Sequence, residues 1–212
     1  MSMTIDDVCD GILGKAADAR RFLVAVAGPP GAGKSTLADA LAHRLVARGE
    51  TAEVLPMDGF HMDNDVLVQR SLLARKGAPQ TFDLRGFIDI LKAVKAAEEE
   101  VLVPVFDRDR ELAIAAARVV SPCHRFIVIE GNYLLLQQYR WAELRSLFDY
   151  AVMLSPPLED LERRLIARWR HYGLSDEALT AKVYENDMPN VRLVLSQSAG
   201  ADLVMKDWAL DS

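Results

Sequence analysis

Residues 28–35 read Gly-Pro-Pro-Gly-Ala-Gly-Lys-Ser and match G-x-x-x-x-G-K-[ST] at every fixed position. Such a pattern constrains a fold when it leaves a strand and enters a helix. Both flanks comply: "FLVAVAG" (22–28) is a continuous apolar run suited to a strand buried on both faces, and "STLADALAHRLVARGE" (35–50) reads as a helix closing near Gly49. Glycines let the backbone curl with its N–H groups turned inward, and the helix start adds free N–H groups and the positive end of its dipole. Lys34 supplies a mobile cation and Ser35 a neutral oxygen for a magnesium ion. The stretch therefore predicts a loop holding a nucleoside triphosphate through Gly28, Gly31, Ala32, Gly33, Lys34, Ser35 and Thr36. The bland alternative is a glycine-rich turn that merely precedes a helix.

The rest of the chain alternates strand and helix patterns. Apolar spacing at Ile5, Val8, Ile12 and Ala16 predicts an amphipathic first helix. Strands are expected at "AEVLPMD" (52–58), "RFIVIEG" (125–131), "DYAVMLS" (149–155) and "ADLVMKD" (201–207). "VLVPVFD" (101–107) reads as a third strand placed near a sheet edge by its proline, with another short extended piece around Val119. Helices are expected over 84–100, from Pro156 and Pro157 onward, and once or twice within 176–197, while 63–82 is polar and irregular. The expected fold is α/β, a three-layer P-loop NTPase fold with a mainly parallel five-stranded sheet.

At 212 residues one domain spanning 1–212 is expected. A net charge of −6 argues against a surface that coats nucleic acid. Cys9 and Cys123 lie far apart and form no metal spacing, so a reducing cytoplasm is the expected setting. No signal peptide and no apolar run near the ~18 residues of a membrane span is found, so no membrane partner is expected. A homodimer is compatible with these features.

The chain has no NKxD or TKxD guanine-reading sequence, and its size leaves no room for the additions of ATP-driven motors. Four further stretches follow in order: "MDGFHMDN" (57–64), "KGAPQTFDLRGF" (76–87), "VPVFDRDRE" (103–111) and "VIEGNYLL" (128–135). Together with the loop they resemble the phosphate-loop kinases of the uridine kinase, phosphoribulokinase and bacterial pantothenate kinase group, over roughly residues 20–206. "DGFHMDN" and "NDMPN" are most similar to bacterial nucleoside/nucleotide kinase-like members labelled "putative fructose transport system kinase". The resemblance implies ATP- and magnesium-dependent phosphorylation of a hydroxyl on a small molecule, with a sugar or nucleoside-like acceptor first and pantothenate next. An NTP hydrolase or switch without an acceptor is the rival.

The resemblance makes Asp58 the carboxylate that takes the acceptor hydroxyl's proton, with an Asp-Gly turn as the alternative. It gives Glu130 a place near the magnesium, against a strand-end glutamate facing solvent. Asp83 is either an acceptor contact or the N-cap of the following helix. His61 is a minor acceptor candidate, and Arg108, with Arg110, binds acceptor or phosphate oxygens or pairs with neighbouring acids. Phe82 shapes the acceptor pocket or belongs to the core, and Phe106 replaces a tyrosine of several relatives. "ERRLIARWRHYG" (162–173) reads as part of a lid over about 160–175, in which Arg164 and Arg168 share one helical face, or as a solvated basic helix. Asn186, Asp187 and Asn190 are helix caps or adenine-side contacts.

Overall fold

A computed structural model describes residues 3–206. In chain order the elements that position the site are α1 (Ile5–Ala16), β1 (Phe22–Ala27), α2 (Lys34–Ala47), β2 (Ala52–Pro56), α3 (Asn64–Gln69), α4 (Leu84–Ala96), β3 (Val101–Asp107) and β4 (Leu112–Val120). They continue with β5 (Phe126–Gly131), β6 (Tyr150–Leu154), α5 (Leu158–His171), α6 (Asp176–Thr180), a π-helical stretch Ala181–Asp187, α7 (Met188–Gln197) and β7 (Leu203–Met205). Asp207, the end of the last expected strand, lies outside the described residues.

Five strands form one parallel sheet in the order β2-β5-β1-β6-β7. Every residue of β1 is buried. The period of two divides them: Leu23, Ala25 and Ala27 join a core with Phe87, Leu91 and Val94 of α4, whereas Phe22, Val24 and Val26 join one with α1, α2 and Leu161 of α5. A strand covered on both sides must be apolar throughout, because each large apolar side chain taken from water contributes about 1.5–3 kcal/mol. That is the three-layer α/β arrangement, and no helix among the described residues is long and apolar enough to cross a membrane.

"VLVPVFD" takes a different place from the one expected. β3 pairs with β4 in a separate antiparallel hairpin and adds nothing to the parallel sheet. Pro104 lies at the register shift between Val103 and Val105, where a residue without an N–H interrupts the ladder at no cost. Two other boundaries move: α4 stops at Ala96, with Ala97 left-handed (φ 52°), and β2 stops at Pro56 before a 3-10 turn, Met57–Phe60, that carries Asp58.

Candidate active site

The C-terminal ends of the parallel strands frame a hollow with about 980 Å³ of open space. β5 and β6, consecutive strands in the chain, lie on opposite sides of β1, and open α/β sheets bind ligands where the strand order diverges in this way. Gly31 (φ 80°) and Gly33 (φ 88°) are both left-handed, which winds the loop into a nest. Gly33 is the N-cap of α2 and offers no side-chain acceptor, so the first N–H groups of the helix stay free for an anion. Gly31, Gly33, Lys34, Ser35 and Thr36 line the hollow. Gly28 closes β1 against Leu154 and Ala32 is buried in the core, and neither lines it.

Lys34 is 9% exposed, and its ammonium donates to the Pro29 carbonyl at 3.0 Å. Burial pushes its pKa down to about 8, against the pull of Glu130 and Asp58. A buried cation resting on one neutral carbonyl is incompletely satisfied, and the phosphates of a nucleoside triphosphate fit that deficit. Glu130 shares register with Val26 of β1 and Pro56 of β2. It therefore points to the face that Phe126 and Val128 also occupy, the face covered by α2. There the Ser35 hydroxyl donates to its Oε1 at 3.1 Å. Burial raises the pKa of Glu130, and the charge of Asp58 adds to the effect. A buried carboxylate beside a hydroxyl at the mouth of an anion nest fits magnesium, which takes few protein oxygens and completes its shell with phosphate and water.

Asp58 follows β2 by two residues and accepts a hydrogen bond from Arg108 Nη2 at 2.8 Å. His61 donates its Nδ1–H to the Asp58 carbonyl at 2.8 Å, leaving the Nε2 lone pair free. Its ring is flanked by Phe82 (4.1 Å) and Phe106 (4.7 Å), and burial lowers its pKa, so the imidazole is neutral. Asp58, His61, Phe106, Arg108 and Glu130 all line the hollow.

Two glycines bring these pieces together. A Cβ on Gly131 would fall 2.5 Å from Met57 Cβ, and one on Gly59 would fall 2.2 Å from the Pro104 carbonyl oxygen. The hairpin therefore seats directly on the turn that carries Asp58. Gly59→Ala is expected to separate the two, lowering stability by about 1–3 kcal/mol in urea unfolding. Nucleotide-analogue affinity should stay near wild type, because the phosphate loop is untouched. An unchanged unfolding curve would refute the seating.

Of the two arginines expected in a lid, Arg168 lines the hollow, whereas Arg164 donates to the Gly31 carbonyl at 3.3 Å and lies outside the lining. Asp83 also lies outside it: its side chain caps α4 by accepting from the Gly86 N–H at 3.0 Å. Phe82 is 3% exposed and packs in the core behind His61. Arg110 pairs with Asp107 at 3.6 Å. Asp187, also in the lining, accepts from Trp169 Nε1 at 2.6 Å, and Lys182 and Asn190 line the hollow too. Asn186 donates to the Lys76 carbonyl at 2.9 Å.

Lys76, Glu111, Asn132 and Trp169 line the hollow although no local pattern singles them out as a group. Lys76 is 9% exposed and donates to Asn64 Oδ1 (2.8 Å) and to the Glu111 carbonyl (3.0 Å). The only signal for it in the sequence is its place at the head of "KGAPQTFD".

The family model of the methylmalonyl-CoA mutase-associated GTPase MeaB matches residues 6–62, the part of the chain around the phosphate loop. The Escherichia coli protein YggC is 35% identical over 190 residues, covering 88% of this chain and 78% of that protein. "Putative uridine kinase C227.14" of Schizosaccharomyces pombe is 32% identical over 202 residues, covering 90% of this chain and 85% of that protein. The pantothenate kinase of Mycolicibacterium vanbaalenii is 30% identical over 70% of this chain, which spans about half (48%) of that protein's length. Among solved structures, the "putative fructose transport system kinase" of Silicibacter sp. TM1040 superposes with a TM-score of 0.91 at 45% identity, covering 96% of this chain and 99% of that one.

Proposed function

The chain belongs to the phosphate-loop kinases of the uridine kinase, phosphoribulokinase and pantothenate kinase group, and on that premise we propose that it transfers the γ-phosphoryl group of ATP to an alcohol oxygen of a small molecule. The observation that carries the proposal is the convergence of Lys34, Ser35, Glu130 and Asp58 on one hollow. The loop amides and Lys34 hold the β- and γ-phosphates. Ser35 and Glu130 would hold magnesium, which would neutralise charge on the phosphates. Asp58 orients the acceptor hydroxyl and takes its proton as the new O–P bond forms and the bond to the β–γ bridging oxygen breaks, releasing ADP. Arg168 faces the transferred group, while Arg164 ties the lid helix to the loop at Gly31.

The acceptor end is walled by His61, Phe106 and Arg108 rather than left as a flat face beside the γ-phosphate, which favours a kinase over a conformational switch. A sugar or nucleoside-like acceptor is the first reading, supported by the names of the yeast and Silicibacter relatives. Purified protein given ATP, magnesium and a panel of sugars, nucleosides and vitamins should release ADP well above a no-acceptor blank in some wells. Equal release in every well would make it a hydrolase instead.

A further inference from the structure

Six side chains at the acceptor end form one contact chain. Arg108 pairs with Asp58 (2.8 Å), His61 bonds the Asp58 carbonyl, and His61 stacks on Phe106 (4.7 Å). Lys76 also lies over that ring, 5.1 Å from its centroid, and pairs with Glu111 Oε1 at 3.2 Å. This end therefore carries two cations, Lys76 and Arg108, against two carboxylates, Asp58 and Glu111, with a neutral imidazole between them. The remaining charged groups lining the hollow are Lys34, Arg168 and Lys182 against Glu130 and Asp187, a surplus of one positive charge that a triphosphate would offset.

Hydrogen-bond capacity points the same way. An ammonium has three donors. Two of those of Lys76 go to Asn64 Oδ1 and the Glu111 carbonyl, and the Glu111 carboxylate at 3.2 Å is a counter-charge that an incoming anion would have to displace. Arg108 retains further N–H groups, but an anion that drew it away would leave the Asp58 carboxylate unpaired and close by. What stays open is a mixture: the His61 lone pair, the second oxygen of Asp58, the remaining Arg108 donors and the Asn132 amide. Hydroxyl groups, each both donor and acceptor, match such a mixture, whereas a carboxylate or phosphate needs donors only.

We infer that the acceptor is an uncharged polyhydroxyl compound, and that sugar phosphates, hydroxy acids and pantothenate are excluded from this site by the self-neutralised Lys76–Glu111 and Arg108–Asp58 pairs. The inference rests on the kinase reading above. It decides between the acceptors that reading leaves open, and Lys76 acts here as a positioning residue that holds the hairpin tip over the acceptor.

Matched pairs test it with the full chain, ATP and magnesium: fructose and fructose 6-phosphate, uridine and UMP, glycerol and glycerate, pantothenol and pantothenate. Acceptor-dependent ADP release should favour the neutral member of the productive pair by about tenfold or more in kcat/KM. Calorimetry with a non-hydrolysable ATP analogue present should show the same order of binding. Glu111→Gln leaves Lys76 uncompensated and should shift the ratio toward the anionic member by about tenfold. Preference for an anionic member, or a ratio that Glu111→Gln does not move, overturns the inference while leaving the kinase reading intact. ADP release that is equal in every well, blank included, overturns both.

Discussion

Asp58→Asn is expected to lower turnover by about 10²–10⁴-fold while ATP-analogue affinity stays at or slightly above the wild-type value. The substitution keeps size and shape, and the asparagine carbonyl can still accept from Arg108, so the hairpin keeps its seat on the Met57–Phe60 turn. What is lost is the negative charge that draws the acceptor proton as the phosphoryl group departs. Affinity should not suffer, because the charge of Asp58 acts on Lys34 from within the same hollow and competes with the triphosphate for it. The two numbers are read separately, turnover from coupled ADP release and affinity from calorimetry. Turnover close to wild type would remove Asp58 from the chemistry and leave an aspartate that only anchors Arg108.

What could be read from the sequence here is what is decided within a few residues. The phosphate loop is a local object: glycine conformations, a lysine and a helix start, all within eight positions. Glu130 is legible because a carboxylate ending an apolar run needs a partner, and the period of two sets which face it takes. The hairpin is another matter. An apolar run such as "VLVPVFD" says strand without saying which sheet, and only the approach of Pro104 to Gly59 places it. Arg164 and Arg168 share a helical face, so no pattern tells them apart. Only the packing of α5 against the loop puts Arg168 in the lining of the hollow and Arg164 on the Gly31 carbonyl. Lys76 shows the limit most clearly, since its partners lie 35 residues away at Glu111 and 110 away at Asn186. Asp83 followed its local signal, a residue ahead of a helix that caps it.

Lys34→Met is expected to abolish nucleotide binding at micromolar to millimolar concentrations without weakening the fold. In wild type Lys34 is 9% exposed and its ammonium has one carbonyl at 3.0 Å, so the folded protein bears much of its desolvation cost. Methionine fills similar volume with an apolar chain, and replacing a buried charge by a well-packed apolar group is often neutral or stabilising. Glu130 loses a nearby cation in the variant, but its carboxyl, already pushed toward the protonated form by burial, can take up a proton instead of remaining as an unpaired buried charge. The melting temperature without nucleotide should therefore hold or rise. With an ATP analogue at a hundred times its dissociation constant, wild type gains about 2.7 kcal/mol. For a chain of this length that corresponds to a rise of roughly 5–10 °C in thermal melting. The variant should show no rise at all. A residue kept for packing predicts the reverse pattern, a lower melting temperature with the nucleotide shift preserved, so one pair of melting curves separates a lysine that holds phosphate from one that holds the fold.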